Sequence, residues 1–175
     1  ELAGYLKNET ALRTAHGLEE FMKEANIAQL EAEYKFNDNV QFFTILKWFY
    51  DSVYDIEDKY SLLVESKSNQ KLQQPEKMQW LRECYLDVLT DNLDLRLGKQ
   101  QVVWGTADGV RILDIVNPLD YREWTLKDYI DTRIPLWMIN AEGKLLMNGQ
   151  LQLLLIPDYQ ANYYAPAGAP FTLRT

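Results

Sequence analysis

The 175-residue sequence predicts an all-β fold, an antiparallel transmembrane β-barrel with about seven strands visible. Three observations predict it. Turn-forming clusters recur along the chain, strict apolar/polar alternation flanks each one, and the links between strands alternate between short and long. The clusters are Phe36-Asn-Asp-Asn-Val-Gln-Phe42, Leu89-Thr-Asp-Asn-Leu-Asp-Leu95 and Met147-Asn-Gly-Gln-Leu-Gln-Leu153. Asn, Asp and Gly tolerate the positive φ of tight hairpin turns, so each cluster reads as the tip of a hairpin.

The first arm sets the pattern at Leu2, Gly4, Leu6 and Leu12, opposite Tyr5, Lys7, Glu9 and Arg13. Before the first turn, Ala28, Leu30, Ala32, Tyr34 and Phe36 share one face, and Gln29, Glu31, Glu33 and Lys35 share the other. After it, Phe42, Thr44, Leu46, Trp48 and Tyr50 oppose Gln41, Lys47 and Asp51, a polar set that Phe43, Ile45 and Phe49 interrupt. At the third turn Trp137, Ile139, Ala141, Gly143, Leu145 and Met147 oppose Asn140, Glu142 and Lys144, and Leu151, Leu153 and Leu155 oppose Gln150 and Gln152. A period of two, not 3.6, describes these runs.

The middle arms fit less well. Trp80, Cys84, Leu86 and Val88 oppose Gln79, Glu83 and Asp87, but Arg82 falls on the apolar side. Leu93, Leu95 and Leu97 oppose Asp94 and Arg96, after which the phase slips at Gly98. A β-bulge at Gly98 would restore it and turn Val102 and Trp104 outward. Residues 18–36 also contain many good helix formers, with Leu18, Phe21, Met22 and Ala25 at partial helical spacing, so a helix competes there with a strand.

The predicted links fall at about 15–20, 37–39, 55–77, 90–92, 105–132, 148–149 and from 157 onward. Outer-membrane barrels have tight periplasmic turns and longer outer loops, so the alternation puts the N-terminus on the periplasmic side. Residues 1–175 then form one barrel domain or the N-terminal portion of one.

Composition narrows the function. No apolar run reaches the length of a membrane-spanning helix, whereas a spanning strand needs only about 9 to 11 residues, alternate ones apolar. A net charge of −8 without a basic cluster argues against nucleic acid. Eleven Tyr and five Trp suit positions that are apolar on one side and wet on the other. The lone cysteine, Cys84, reads as a small apolar packing residue, and the lone histidine, His16, as a solvated loop residue. Paired carboxylates such as Glu31 with Glu33, and Asp55 with Glu57 and Asp58, read as wet charged surface before acid–base or Ca²⁺ chemistry. No nucleotide loop, nucleophile elbow or zinc spacing occurs, so neither an enzyme nor a cofactor is expected.

The stretch Leu95-Arg-Leu-Gly-Lys-Gln-Gln-Val-Val-Trp-Gly105, then Val116-Asn-Pro-Leu-Asp120, Arg133-Ile-Pro-Leu-Trp137 and Tyr5-Leu-Lys-Asn-Glu-Thr10, resembles an uncharacterised family of porin-like outer-membrane proteins of Gram-negative bacteria. The resemblance covers most of the chain in order. It implies a bacterial outer-membrane location, a barrel well over twice this length, and export components of the periplasm or inner membrane as partners. Two features fit a piece of such a barrel. The strand number is odd, and the chain stops at Phe171-Thr-Leu-Arg-Thr175 instead of on a terminal aromatic. The start at Glu1, with no leader segment, is expected of a chain whose signal peptide has been removed or of a segment cut from something longer.

The function expected is a porin-like channel or export conduit. Lys7, Glu9, Arg13, Glu31, Glu33, Lys35, Lys47, Asp94 and Arg96 would line its water, and outer-membrane lipid would meet the other face. The 105–132 segment is long enough to form a constriction or cap, with Asp108, Arg111, Asp114, Arg122 and Trp124 as its candidate residues and a short helix expected from about Trp124 to Ile130. Two alternatives remain: a soluble β-rich module that binds a glycan or apolar ligand, and a barrel serving as a sheath or anchor for partner proteins.

Overall fold

A computed structural model describes residues 1–14, 20–56, 80–104, 114–123, 129–145, 149–165 and 167–172. Seven strands form one antiparallel sheet: β1 (Leu2–Arg13), β2 (Glu20–Asn37), β3 (Val40–Asp51), β4 (Leu81–Leu89), β5 (Leu93–Gln100), β7 (Leu136–Lys144) and β8 (Gln150–Leu155), side by side in chain order. β1 and β8 are its edges. A separate parallel pair, β6 (Asp120–Tyr121) with β9 (Tyr163–Tyr164), lies outside that sheet, as do the one-turn helices α1 (Val53–Ile56) and α2 (Tyr129–Thr132).

Residues 20–37 are strand, although they include good helix formers. Strand pairing along the whole of β1 and of β3 outweighs a propensity preference of a few tenths of a kcal/mol per residue.

Register sorts the side chains onto two faces, because residues opposite one another in an antiparallel pair point the same way. One row runs Gly4, Leu30, Leu46, Leu81, and another Leu95, Ala141, Leu153, all on the outer face. On the inner face, Tyr5 stands opposite Gln29 and Gln29 opposite Lys47, while one row crosses five strands from Lys35 through Gln41, Asp87, Arg96 and Asn140. Phe43, Ile45 and Phe49 share this inner face, so β3 is apolar on both sides. The outer face is open along much of its length, with Leu6 88% and Leu153 67% exposed.

Bulges keep the two faces distinct. Ala11 pairs with Lys23 but Leu12 with Phe21, so Met22 is the extra residue; the shift leaves Phe21 outward and Glu20 inward. Ile45 pairs with Glu83 but Leu46 with Leu81, which makes Arg82 the extra residue of β4. This bulge accounts for the arginine that broke the alternation.

The bulge expected at Gly98 does not occur. Register continues unbroken from Leu97 through Gly98 to Lys99 against both neighbouring strands. Lys99 therefore keeps the outer parity and satisfies its ammonium by donating to the Leu81 carbonyl at 2.8 Å. Gly98 serves a different need. Its φ is +136°, and a Cβ there would lie 2.2 Å from the Cys84 carbonyl oxygen. Val102 does not turn outward either. It is buried with Leu136 and Met138, against Val116, Leu154 and Ile156, because the chain after Gln100 leaves the sheet and folds back across the inner face.

Candidate functional site

The described parts of the long links lie at one end of the sheet, over its charged inner face, and form a cap that reaches from one edge towards the other. Trp104, expected to point outward, instead donates its indole N–H to Gln152 of β8 at 2.7 Å. Asn117 fixes the next step: its Oδ1 accepts from the Val102 N–H at 2.8 Å, and its Nδ2 donates to the carbonyls of Ile134 at 2.9 Å and Gln100 at 3.4 Å. Farther along, α2 places Asp131 against Lys47 of β3 at 2.7 Å and Arg82 of β4 at 3.5 Å. Arg82 also donates to the Ile130 carbonyl at 2.6 Å. Glu123 meets the buried ammonium of Lys23 on β2, which also pairs with Glu9 of β1 at 2.5 Å. Finally, Arg13 bonds Glu20 at 2.6 Å and donates to the Pro170 carbonyl at 3.3 Å, which ties the C-terminal part of the cap to β1.

The cap has its own polar frame. Arg133 and Asp114 form a buried pair at 2.7 Å. Arg122 grips Asp120 through two nitrogens, at 2.8 and 2.6 Å. Burial alone would lower the Arg122 pKa, but hydrogen bonding and attraction to Asp120 outweigh it and raise the value above the ordinary one. Leu119 donates to Asn162 at 2.8 Å and accepts from the Tyr163 N–H at 2.9 Å, which joins β6 to β9, and Tyr121 stacks on Tyr164.

All nine side chains expected to line the lumen have the inner-face parity, but their surroundings differ. Lys7, Glu9, Arg13 and Lys47 lie at the cap end, in or beside the contacts just described. Arg96 is fixed on the wall by a two-pronged bond to Asp87 at 2.6 and 2.8 Å, with its guanidinium 4.1 Å from the centre of the Tyr85 ring. Glu31 accepts from Gln29 at 2.6 Å, while Glu33 with Lys35, and Asp94, lie towards the tight-turn end. Of the constriction candidates, Asp114 and Arg122 are ion-paired within the cap. Asp108, Arg111 and Trp124, like His16, Glu57 and Asp58, lie outside the described residues. Of the helix expected over Trp124–Ile130, residues 124–128 lie outside the described residues, and a one-turn helix spans Tyr129–Thr132.

Sequence reasoning missed Lys23, Arg82, Glu123, Asp131 and Arg133. Lys23 was within reach, since it shares the odd parity of Gln29 and Glu31 and needed only the alternation carried back past Ala28. The loop residues gave no periodic signal. Among the described residues, no group of three or more His, Cys, Asp or Glu side chains is placed to hold a metal.

Sheet and cap together define an all-β protein with a seven-stranded antiparallel sheet, one face apolar and the other charged and covered at one end. The chain belongs to the family described as Protein of unknown function (DUF1302), whose model matches residues 19–173. No curated protein and no solved structure matches it.

Proposed function

We propose that this chain forms part of a transmembrane β-barrel in a bacterial outer membrane, a porin-like channel or export conduit whose charged lumen the cap crosses. The outer face carries the proposal. It is apolar and exposed from Leu2 and Leu6 on one edge to Leu151, Leu153 and Leu155 on the other. Tyr34 and Phe36 bound it near the tight turns, and Trp48, Tyr50 and Trp137 near the cap. From Phe42 to Tyr50 the strand climbs roughly 26 Å at ~3.3 Å per residue. At a tilt of ~40° this is about 20 Å of height, near the ~25 Å apolar band of such barrels.

At the Tyr50 row the outer face becomes polar. Tyr50 stands opposite Asn26, which stands opposite Asn8, and Asn8 donates to Glu24 at 2.9 Å and Asn26 at 3.1 Å while Thr10 donates to Glu24 at 2.6 Å. Aromatic side chains followed by hydrogen-bonded polar ones are what a lipid–water boundary favours. An open strand edge cannot lie in lipid, because its N–H and C=O groups would have no partners. The reading therefore requires further strands between β8 and β1.

Reconstitution into planar lipid bilayers tests the proposal. A heat-modifiable, detergent-dependent protein that conducts ions is the expected outcome. A protein that stays monomeric and soluble without detergent would overturn it in favour of a soluble binding module. The cap lying across the inner face also favours a second reading, a barrel that acts as a sheath or anchor for partner proteins, including periplasmic or inner-membrane export components. A folded barrel that conducts neither with its cap nor without it would point there.

A further inference from the structure

We infer that the cap is a gate hinged on apolar contacts along one half of the sheet and latched by ion pairs along the other; the inference rests on the conduit reading above. The two halves are held by different chemistry. On the β5–β7–β8 side, Val102 and Val116 pack against Leu136, Met138, Leu154 and Ile156, and Asn117 ties the crossing chain to Gln100 and Ile134. Such contacts are non-directional, whereas ion pairs depend on how their partners are placed. On the β2–β3–β4 side, Glu123 and α2 are held to the sheet by charged side chains: Glu123 to Lys23, Asp131 to Lys47, and Asp131 and the Ile130 carbonyl to Arg82.

When the latch opens, the wall keeps part of its charge compensation. Lys23 retains Glu9 at 2.5 Å, and Glu9 retains Lys7 at 2.5 Å. Within the cap, Asp114 with Arg133 and Asp120 with Arg122 hold the crossing chain in shape. A displaced cap therefore leaves two surfaces that each keep part of their pairing, which lowers the cost of a second arrangement. The bulge at Arg82 fits this role: it brings a third cation, out of phase with β4, to the point where α2 docks.

The test compares the wild type with the double variant Glu123→Gln, Asp131→Asn, which removes the two cap charges with little change in shape. Single-channel recording is paired with hydrogen exchange of residues 129–135 in detergent. The double variant should show faster exchange there and an open-state population raised about tenfold. Asp131→Lys should act in the same direction, and adding Lys47→Glu should restore the closed state. A conducting protein whose exchange and open population do not change in the double variant overturns the latch alone. Faster exchange with no conductance in any variant overturns the gate together with the conduit reading.

Discussion

Arg82 reaches Asp131 because the sheet has no regular place for it. As the extra residue of a bulge it belongs to neither alternating face, and its guanidinium is 3.5 Å from an Asp131 oxygen that Lys47 already holds at 2.7 Å. One carboxylate shared by two cations couples them. The single variants Lys47→Ala and Arg82→Ala should each loosen the cap modestly, while the double variant should depart from additivity by about 0.5 to 3 kcal/mol. Urea titrations of the four proteins measure this, and simple additivity would mean that the two cations act independently.

Gly98 should tolerate no side chain. An added methyl would lie 2.2 Å from the Cys84 carbonyl oxygen and 2.8 Å from the Tyr85 Cα, at a φ of +136°. Backbone cannot withdraw as a flexible side chain could. Gly98→Ala should cost on the order of 3 kcal/mol or more and separate β4 from β5. Gly143 is the control, since a methyl there meets only Asn92 oxygen at 3.9 Å. Gly143→Ala should stay within about 0.5 kcal/mol of wild type, which thermal unfolding of both variants would check.

Asn117→Ala should release the cap and leave the wall folded. It removes the acceptor for the Val102 N–H and the donor to the Ile134 and Gln100 carbonyls, a loss of roughly 1 to 3 kcal/mol for each buried group left without a partner. Exchange should quicken at Val102 and Ile134 while Leu95 and Leu97, held between β4 and β7, keep their protection. Equal loss of protection in the sheet would mean that cap and wall unfold as one unit.

What the sequence revealed follows from which forces repeat along it. The wall was legible because a strand with one buried or lipid-facing side must alternate, so Leu30, Leu46 and Leu153 were placed correctly by parity alone. The phase errors came where one residue is extra or one side chain is missing. The alternation breaks at Arg82 because a bulge lies there, whereas the glycine at Gly98, which reads as a bulge, answers to close strand approach. The cap was legible only as a long segment rich in charge and aromatics. Which of its charges meet the wall depends on how an aperiodic chain folds back, and neither the pairing of Glu123 with Lys23 nor that of Asp114 with Arg133 leaves a spacing that can be read.

Leu46 and Lys47 are neighbours in the chain and lie on opposite faces, which makes them a sharp test of the membrane proposal. Leu46 stands in an outer row between Leu30 and Leu81, whereas Lys47 points inward to Asp131. If the outer face meets lipid, Leu46→Arg places a cation in hydrocarbon, at a cost of roughly 2 to 4 kcal/mol near the midplane and less towards the interfaces. The fraction of protein reaching the heat-resistant folded form in lipid vesicles should fall accordingly. Lys47→Ala should assemble at the wild-type level, because the change occurs on the inner face and its consequence is confined to the docking of α2. Leu153→Arg, two strands' width beyond β5, should repeat the Leu46 result if the apolar face is continuous. Normal assembly of both arginine variants would reject lipid as the partner of this face.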